Sequence, residues 1–293
     1  MKSTIKGKGV CSMKLGVITD CFGKTHEYGI EQASRLGLKG VQIYATTGSF
    51  SPEVLTEENK TYYKKLLKDN NLVISALCGD MGGFGFEIEK DNAERIEKTN
   101  RIVDLAVEFG VKVVTTHIGV IPEDVTSEKF KVMLSALTKA GLYAKERGVT
   151  LAIETGPEKA KTLLEFLKRT KGGVGVNLDP ANFTMVTKQD AVEAVYILKD
   201  YIVHTHLKDG KMLTDSPNPT AVYHAFALGG VDALNACKDF LETPVGQGDV
   251  DFPNYIKALK EIGYDGFLTI EREVLDNVDE DINNAVSYIK KYL

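Results

Sequence analysis

Short runs rich in Val, Ile and Leu recur along the chain, each followed by a longer stretch whose apolar residues return every three to four positions. The short runs predict buried strands, and the helical return predicts helices that cover them. The strand candidates are Lys14–Asp20, Gly40–Ala45, Val73–Asp80 and Lys112–Gly119, then Thr150–Gly156, Val174–Asp179, Ile202–Asp209 and Gly266–Glu273. Several follow a glycine that closes the preceding helix, as in SRLGLKG, VEFGVKV, KERGVTL and KEIGYDG. Between them, Asn92–Phe109 spaces Ile96, Ile102, Val103, Leu105, Ala106 and Phe109 as one helical face. Strand and helix alternate about eight times, which is the pattern of a parallel sheet. In 293 residues this predicts an α/β fold, a closed (β/α)8 barrel in a single domain. An open doubly wound sheet is the alternative.

One connection departs from the rhythm. Residues 210–249 form a long excursion after the seventh strand, with a short helix expected near Val231–Leu241. Connections of that length in compact domains are functional or disordered. On a barrel this one leaves from the C-terminal mouth, so it is read as a lid over substrate; a variable surface or dimer-contact loop is the other reading. Residues 1–12 are expected to be a flexible leader, with the barrel occupying 13–293.

Composition narrows the function classes. Hydrophobic residues make up 43% and charged residues 26%, a globular balance. A formal charge of -5 gives no attraction to a polyanion, so nucleic acid is not expected as a partner. No apolar run approaches the roughly 18 residues a membrane helix needs, and no apolar segment follows Lys2, Lys6 and Lys8 as a secretory signal requires. Cys11, Cys21, Cys78 and Cys237 form no CxxC pair and read as reduced thiols of a cytoplasmic protein.

Strand phase locates the chemistry, because successive side chains point to opposite faces. If Leu151 and Ile153 pack outward, Ala152 and Glu154 face the barrel axis. By the same alternation Gly175, Asn177 and Asp179 face inward, as do Thr269 with Glu271 and His204 with His206. Gln42, Tyr44 and His117 follow the same phase on the second and fourth strands. An inward carboxylate is costly unless paired or bound to a cation. Taken singly, each is a salt-bridge partner or helix cap. Together, Glu154, Asp179, His206 and Glu271 arrive at one mouth from strands five to eight. Three carboxylates and one imidazole suit a single divalent ion, Mn²⁺ or Mg²⁺ first, with Co²⁺ or Zn²⁺ also compatible.

The runs AIETG, NLDPANF, HTHLKDG, ETPVGQGDVDF and GFLTIERE resemble the xylose isomerase-like TIM-barrel superfamily, from Lys14 onward. That group contains sugar phosphate isomerases/epimerases, ketose 3-epimerases and type IV endonucleases. The resemblance implies that Glu154, Asp179, His206 and Glu271 are the ligands of one metal. It also implies that Glu154 and Glu271 are the acid/base pair on opposite sides of the reacting carbon. Two positions depart from the pattern. Asn182 stands where many relatives carry a substrate-contacting histidine, and Lys208, Lys211 and Met212 occupy a stretch where epimerases place an arginine. An amide can hydrogen-bond a sugar hydroxyl but cannot shuttle a proton at neutral pH. The extra histidines of the endonucleases and the two-metal site of xylose isomerase itself are not matched.

Further substrate contacts are expected from His117, Asn182, Lys208, Gln247 and Tyr44. Each has a plainer reading: an inner-barrel histidine for His117, pairing with Asp209 or Asp179 for Lys208, and a helix-capping turn around Gln247. Tyr44 and Phe84 are candidates for an apolar wall, His204 for a buried support, and His26 and His224 for surface positions. The leading expectation is a divalent-metal-dependent sugar isomerase/epimerase. It would transfer a proton through a metal-stabilised enediolate on a ketose or keto-sugar. One alternative is a lyase or dehydratase, by keto-inositol dehydration or 3-keto-glycoside elimination. A non-catalytic sugar-binding barrel is the other. The partner is a small sugar, and a homo-oligomer is compatible with the resemblance.

Overall fold

Glycine-closed helices feeding Val/Ile-rich runs build the expected repeat. In the computed structural model, which describes residues 13–274 and 276–293, the barrel strands are β1 (Lys14–Ile18), β2 (Gly40–Tyr44), β3 (Val73–Cys78) and β4 (Val113–Thr116). They continue with β5 (Thr150–Glu154), β6 (Val174–Leu178) and β7 (Ile202–Leu207). The barrel closes through β10 (Phe267–Ile270), which pairs in parallel with both β7 and β1. The closed single-domain barrel is therefore observed, and the open sheet is not. The expected leader at residues 1–12 lies outside the described residues.

Each barrel strand ends one to three residues before the end expected from the sequence, so Asp179 and Glu271 stand just beyond the ladder while Glu154 and His206 remain within β5 and β7. The helices before β7 are α1 (His26–Arg35), α2 (Glu57–Asp69), α3 (Asn92–Phe109), α4 (Glu128–Glu146), α5 (Ala160–Leu167) and α6 (Ala191–Leu198), α3 forming over the residues expected. The outer core, between strands and helices, is apolar and continuous. The barrel interior differs. At one level Ala76, Val113 and Ala152 pack with Val203, whereas Gln42, Thr115, Asn177, His204 and Thr269 are buried polar groups. A register shift opposite Val176/Asn177 leaves Val203 as an extra residue on β7.

The excursion after β7 corrects the expectation. Residues 210–249 are not a long loop: β8 (Asp209–Met212) and β9 (Phe240–Thr243) form an antiparallel hairpin around α7 (Pro219–Asn235). The short helix expected at Val231–Leu241 is displaced, because α7 starts at Asn218, whose side chain accepts the Ala221 amide at 3.1 Å, with Pro219 in the first turn. Its residues are apolar on most sides, so no helical stripe marks it in the sequence. Gly230, at φ 63° and ψ -155°, kinks it. The hairpin is pinned by Asp209, whose carboxylate accepts the amides of Gly210, Gly246, Gly248 and Val250 at 2.8–3.2 Å. At Gly248 a Cβ would overlap that carboxylate, so only glycine fits there.

Candidate metal centre

Strand ends carry four buried groups to one point. Glu154 ends β5, Asp179 follows β6, His206 lies in β7 and Glu271 follows β10. One ligand atom from each lies within 4.8 Å of all the others. His206 Nδ1 is 3.1 Å from Glu271, 3.3 Å from Glu154 and 3.8 Å from Asp179. The set expected from strand phase is thus brought together.

Two atoms test whether a cation fits. Asp179 Oδ1 accepts the amides of Ala181 and Asn182, at 2.7 and 3.2 Å, while its buried Oδ2 has no hydrogen-bond partner. His206 Nδ1 is likewise buried without one. On the far side of that ring, Nε2 lies 3.2 Å from Gln42 Oε1, and Gln42 in turn donates to Thr115 Oγ1 at 3.4 Å. A proton on Nε2, donated to Gln42, leaves the Nδ1 lone pair facing the carboxylates, which is the arrangement a metal-ligating imidazole requires. Orphaned acceptors converging at coordination range fit a divalent ion.

The carboxylates around the ring favour positive charge at this point, whether a proton or a cation. Burial alone would lower the His206 pKa, but Glu154 and Glu271 hold it well above its ordinary value. Burial raises the Asp179 carboxyl. Burial also works against the Glu271 carboxylate, yet Lys208 and His206 outweigh it and hold it well below the usual range. The Lys208 ammonium, itself buried, is 3.2 Å from Glu271 and also contacts Glu273. It does not pair with Asp209 or Asp179, because those carboxylates are taken up by backbone amides and the cluster. Burial lifts the Glu273 carboxyl to about 7. His204, deeper in the barrel, bonds Thr269 Oγ1 at 3.0 Å; burial presses its pKa down to about 3, so it is neutral.

A cavity of about 820 Å³ opens above the cluster. Tyr44, His117, Asn182 and Lys208 line it. His117 Nδ1 is 3.0 Å from Asp80, and Nε2 is 3.8 Å from Glu154. Burial opposes its charge, but Glu154 and Asp80 raise it to about 10, so it is an imidazolium at neutral pH. Asn182 donates its amide to Thr155 O at 2.8 Å at the start of a π-helix, Asn182–Thr187. Gln247 is exposed on its turn and does not line the cavity, because the Asp209 network aims that turn away from the mouth.

Several neighbours were not assigned roles from the sequence. Asp80 is in phase with Ala76 and Cys78 on β3, so strand alternation could have found it. Gln42 faces inward by strand phase, but its partner His206 lies five strands further along the chain. Gly85, at φ 57°, presses the loop after β3 against Ile118, where a Cβ has no room. Tyr223 and Phe226, on α7, line the cavity and stand 6.4 and 5.6 Å from the His117 ring. His224, expected on the surface, is half-buried against Phe84. His26 is half-buried too, 3.0 Å from Thr19 Oγ1.

A family model described as xylose isomerase-like TIM barrel matches residues 30–292. Among curated proteins, an uncharacterized protein of Methanocaldococcus jannaschii is 24% identical, over 98% of this chain and 92% of its own. An inosose dehydratase of Clostridium perfringens is 24% identical over 56% of this chain and 52% of its own. Among solved structures, a xylose isomerase domain protein from Planctomyces limnophilus superposes with a TM-score of 0.76 at 24% identity, covering 96% of both chains. A probable 3-DHS dehydratase from Bacillus anthracis gives 0.76 at 18% identity, covering 95% of this chain and 99% of its own. A D-allulose 3-epimerase from Methylomonas sp. gives 0.70 at 16%, covering 96% and 98%. Among the described residues, no helix is long and apolar enough to cross a membrane.

Proposed function

The chain belongs to the xylose isomerase-like TIM barrel family, and on that footing we propose that it is a divalent-metal-dependent sugar isomerase or epimerase acting on an uncharged keto-sugar. The observation that carries this reading is the convergence of Glu154, Asp179, His206 and Glu271 with two orphaned acceptors at the floor of the cavity. Three carboxylates and one imidazole favour Mn²⁺. A divalent ion held there would polarise a carbonyl and acidify the neighbouring C–H.

The protein's own groups then move the proton. Lys208 keeps Glu271 ionised, so Glu271 serves as the base on one side of the reacting carbon. Glu154 stands on the other side, oriented by Asn177 Nδ2 at 3.3 Å; it returns a proton drawn from the His117 imidazolium 3.8 Å away, while Glu271 keeps the one it removed. Return to the same carbon inverts it, and return to its neighbour isomerises the sugar.

The charge of the cavity supports a neutral substrate. Asp20, Asp80, Glu154, Asp232, Glu271, Glu273 and Asp276 line it, against Lys208, Arg272 and His117. Both fixed cations are already paired, Lys208 with Glu271 and Glu273, and Arg272 with Glu242 at 2.6 Å and Asp281 at 2.9 Å. A phosphate or carboxylate on the substrate would meet no free cation among these.

A lyase is the second reading, and His117 favours it. Its imidazolium beside Glu154 can give a proton to a leaving oxygen on the carbon next to the one deprotonated. Deuterium exchange tests the shared step. Mn²⁺-loaded protein should exchange the proton alpha to the carbonyl of a neutral ketose with D2O, and Glu271→Gln should abolish the exchange while wild type binds about one metal per chain. Wild type that takes up no divalent ion, or exchange that survives Glu271→Gln, would refute this function.

A further inference from the structure

The cavity is chemically divided. Its floor is polar and holds the carboxylate cluster. Its far wall is apolar, formed by Val222, Tyr223, Phe226, Val231 and Leu234 of α7 and by Val186 of the π-helix. The kink at Gly230 brings residues from both halves of α7 onto the same cavity. This wall is tethered: Tyr223 Oη donates to Gly83 O at 3.3 Å, which ties α7 to the loop carrying Asp80. It also begins next to the chemistry, since the Phe226 ring is 5.6 Å from the His117 ring.

At about 820 Å³ the cavity falls toward the upper end of the ~300–1,000 Å³ of pockets that bury drug-sized ligands, and a single free hexose would leave much of it empty. An apolar wall left facing water gains nothing, whereas one covered by an apolar group contributes to binding in proportion to the area removed from water. A second sugar unit would need polar partners on that wall, and Asp232 at its rim is the one charged group α7 supplies to the lining.

We propose that the substrate is a neutral keto-sugar bearing an apolar, ring-sized substituent, with the sugar over the Glu154–Glu271 cluster and the substituent against Phe226, Tyr223 and Leu234. The sugar half of this assignment rests on the function proposed above; the apolar half rests on the α7 wall. It makes Phe226 and Leu234 specificity-determining residues that act on the substituent and leave the proton transfer untouched.

Calorimetric titration of Mn²⁺-loaded protein with the methyl and phenyl 3-keto-β-D-glucopyranosides tests it. The phenyl compound should bind about tenfold or more tightly than the methyl one. Phe226→Ala should remove most of that preference while leaving the methyl compound's affinity within about twofold. Leu228→Ala, on an outward side chain that is 77% exposed, should change neither. Equal binding of the two compounds, equal weakening of both by Phe226→Ala, or no binding of either would overturn the proposal, the second because it would mean that the wall stacks on the sugar itself. Metal uptake and deuterium exchange on a free ketose are separate readouts. If they fail while the phenyl preference holds, the proton-transfer reading falls and the apolar subsite stands.

Discussion

Replacing Glu158 by glutamine should remove a pH-dependent penalty on stability. Glu158 is buried at 6% exposure between β5 and α5 (Ala160–Leu167), and neither carboxylate oxygen has a hydrogen-bond partner. Burial pushes its pKa up to about 8, opposed by its own backbone amide and by the His117 imidazolium; Tyr223 is the other titratable group it influences. In the unfolded chain the same carboxyl titrates near ~4.3. Below that pH both states are protonated and the penalty is absent. As pH rises, the unfolded chain releases the proton first, so stability falls by about 1.4 kcal/mol per pH unit until the folded carboxyl titrates. Between pH 5 and pH 7 the loss is roughly 2.5 kcal/mol, and it levels off above about pH 8. An amide carries no such titration, and any cost of its unpaired groups is the same at every pH. Urea unfolding of both proteins at pH 5, 6, 7 and 8, in one metal buffer, measures the difference. Far-UV circular dichroism is the suitable signal, because the chain contains no tryptophan. Glu158→Gln should gain on wild type steadily with rising pH. A difference that stays constant across the series would refute the argument that this carboxyl is held neutral by burial.

Two further perturbations probe the supports of the site. Gln42→Leu leaves the His206 Nε2 proton without its acceptor at 3.2 Å, and metal affinity measured against a competing chelator should fall about 10- to 100-fold; unchanged affinity would show that Gln42 does not orient the ring. Asp209→Ala removes the carboxylate that accepts four backbone amides and should cost about 2–4 kcal/mol, with faster hydrogen exchange at Gly246, Gly248 and Val250. Retained protection of those amides would mean that the turn holds without it.

Alternation alone carries a long way in this chain. Because a strand turns every second side chain to the same face, the letters of TLAIETG, VGVNLD, IVHTHLKD and GFLTIERE are enough to put Glu154, Asp179, His206 and Glu271 at one rim. The count of units is enough to close the barrel. What alternation cannot supply is distance across strands. Whether Lys208 serves Asp179, Asp209 or Glu271 depends on which carboxylates backbone amides have already taken, and Asp209 is taken by four of them. The tautomer of His206 depends on Gln42, which sits 164 residues earlier in the chain, and on Asn177, whose Nδ2 lies 3.1 Å from the same ring nitrogen. Helix α7 escaped the pattern because it is apolar on two faces, one turned to the cavity and one bearing the exposed Leu228. Local periodicity reports which side of an element is buried when only one side is. Where both sides are apolar, or where a polar group's partner comes from another strand, the packing of the whole barrel decides.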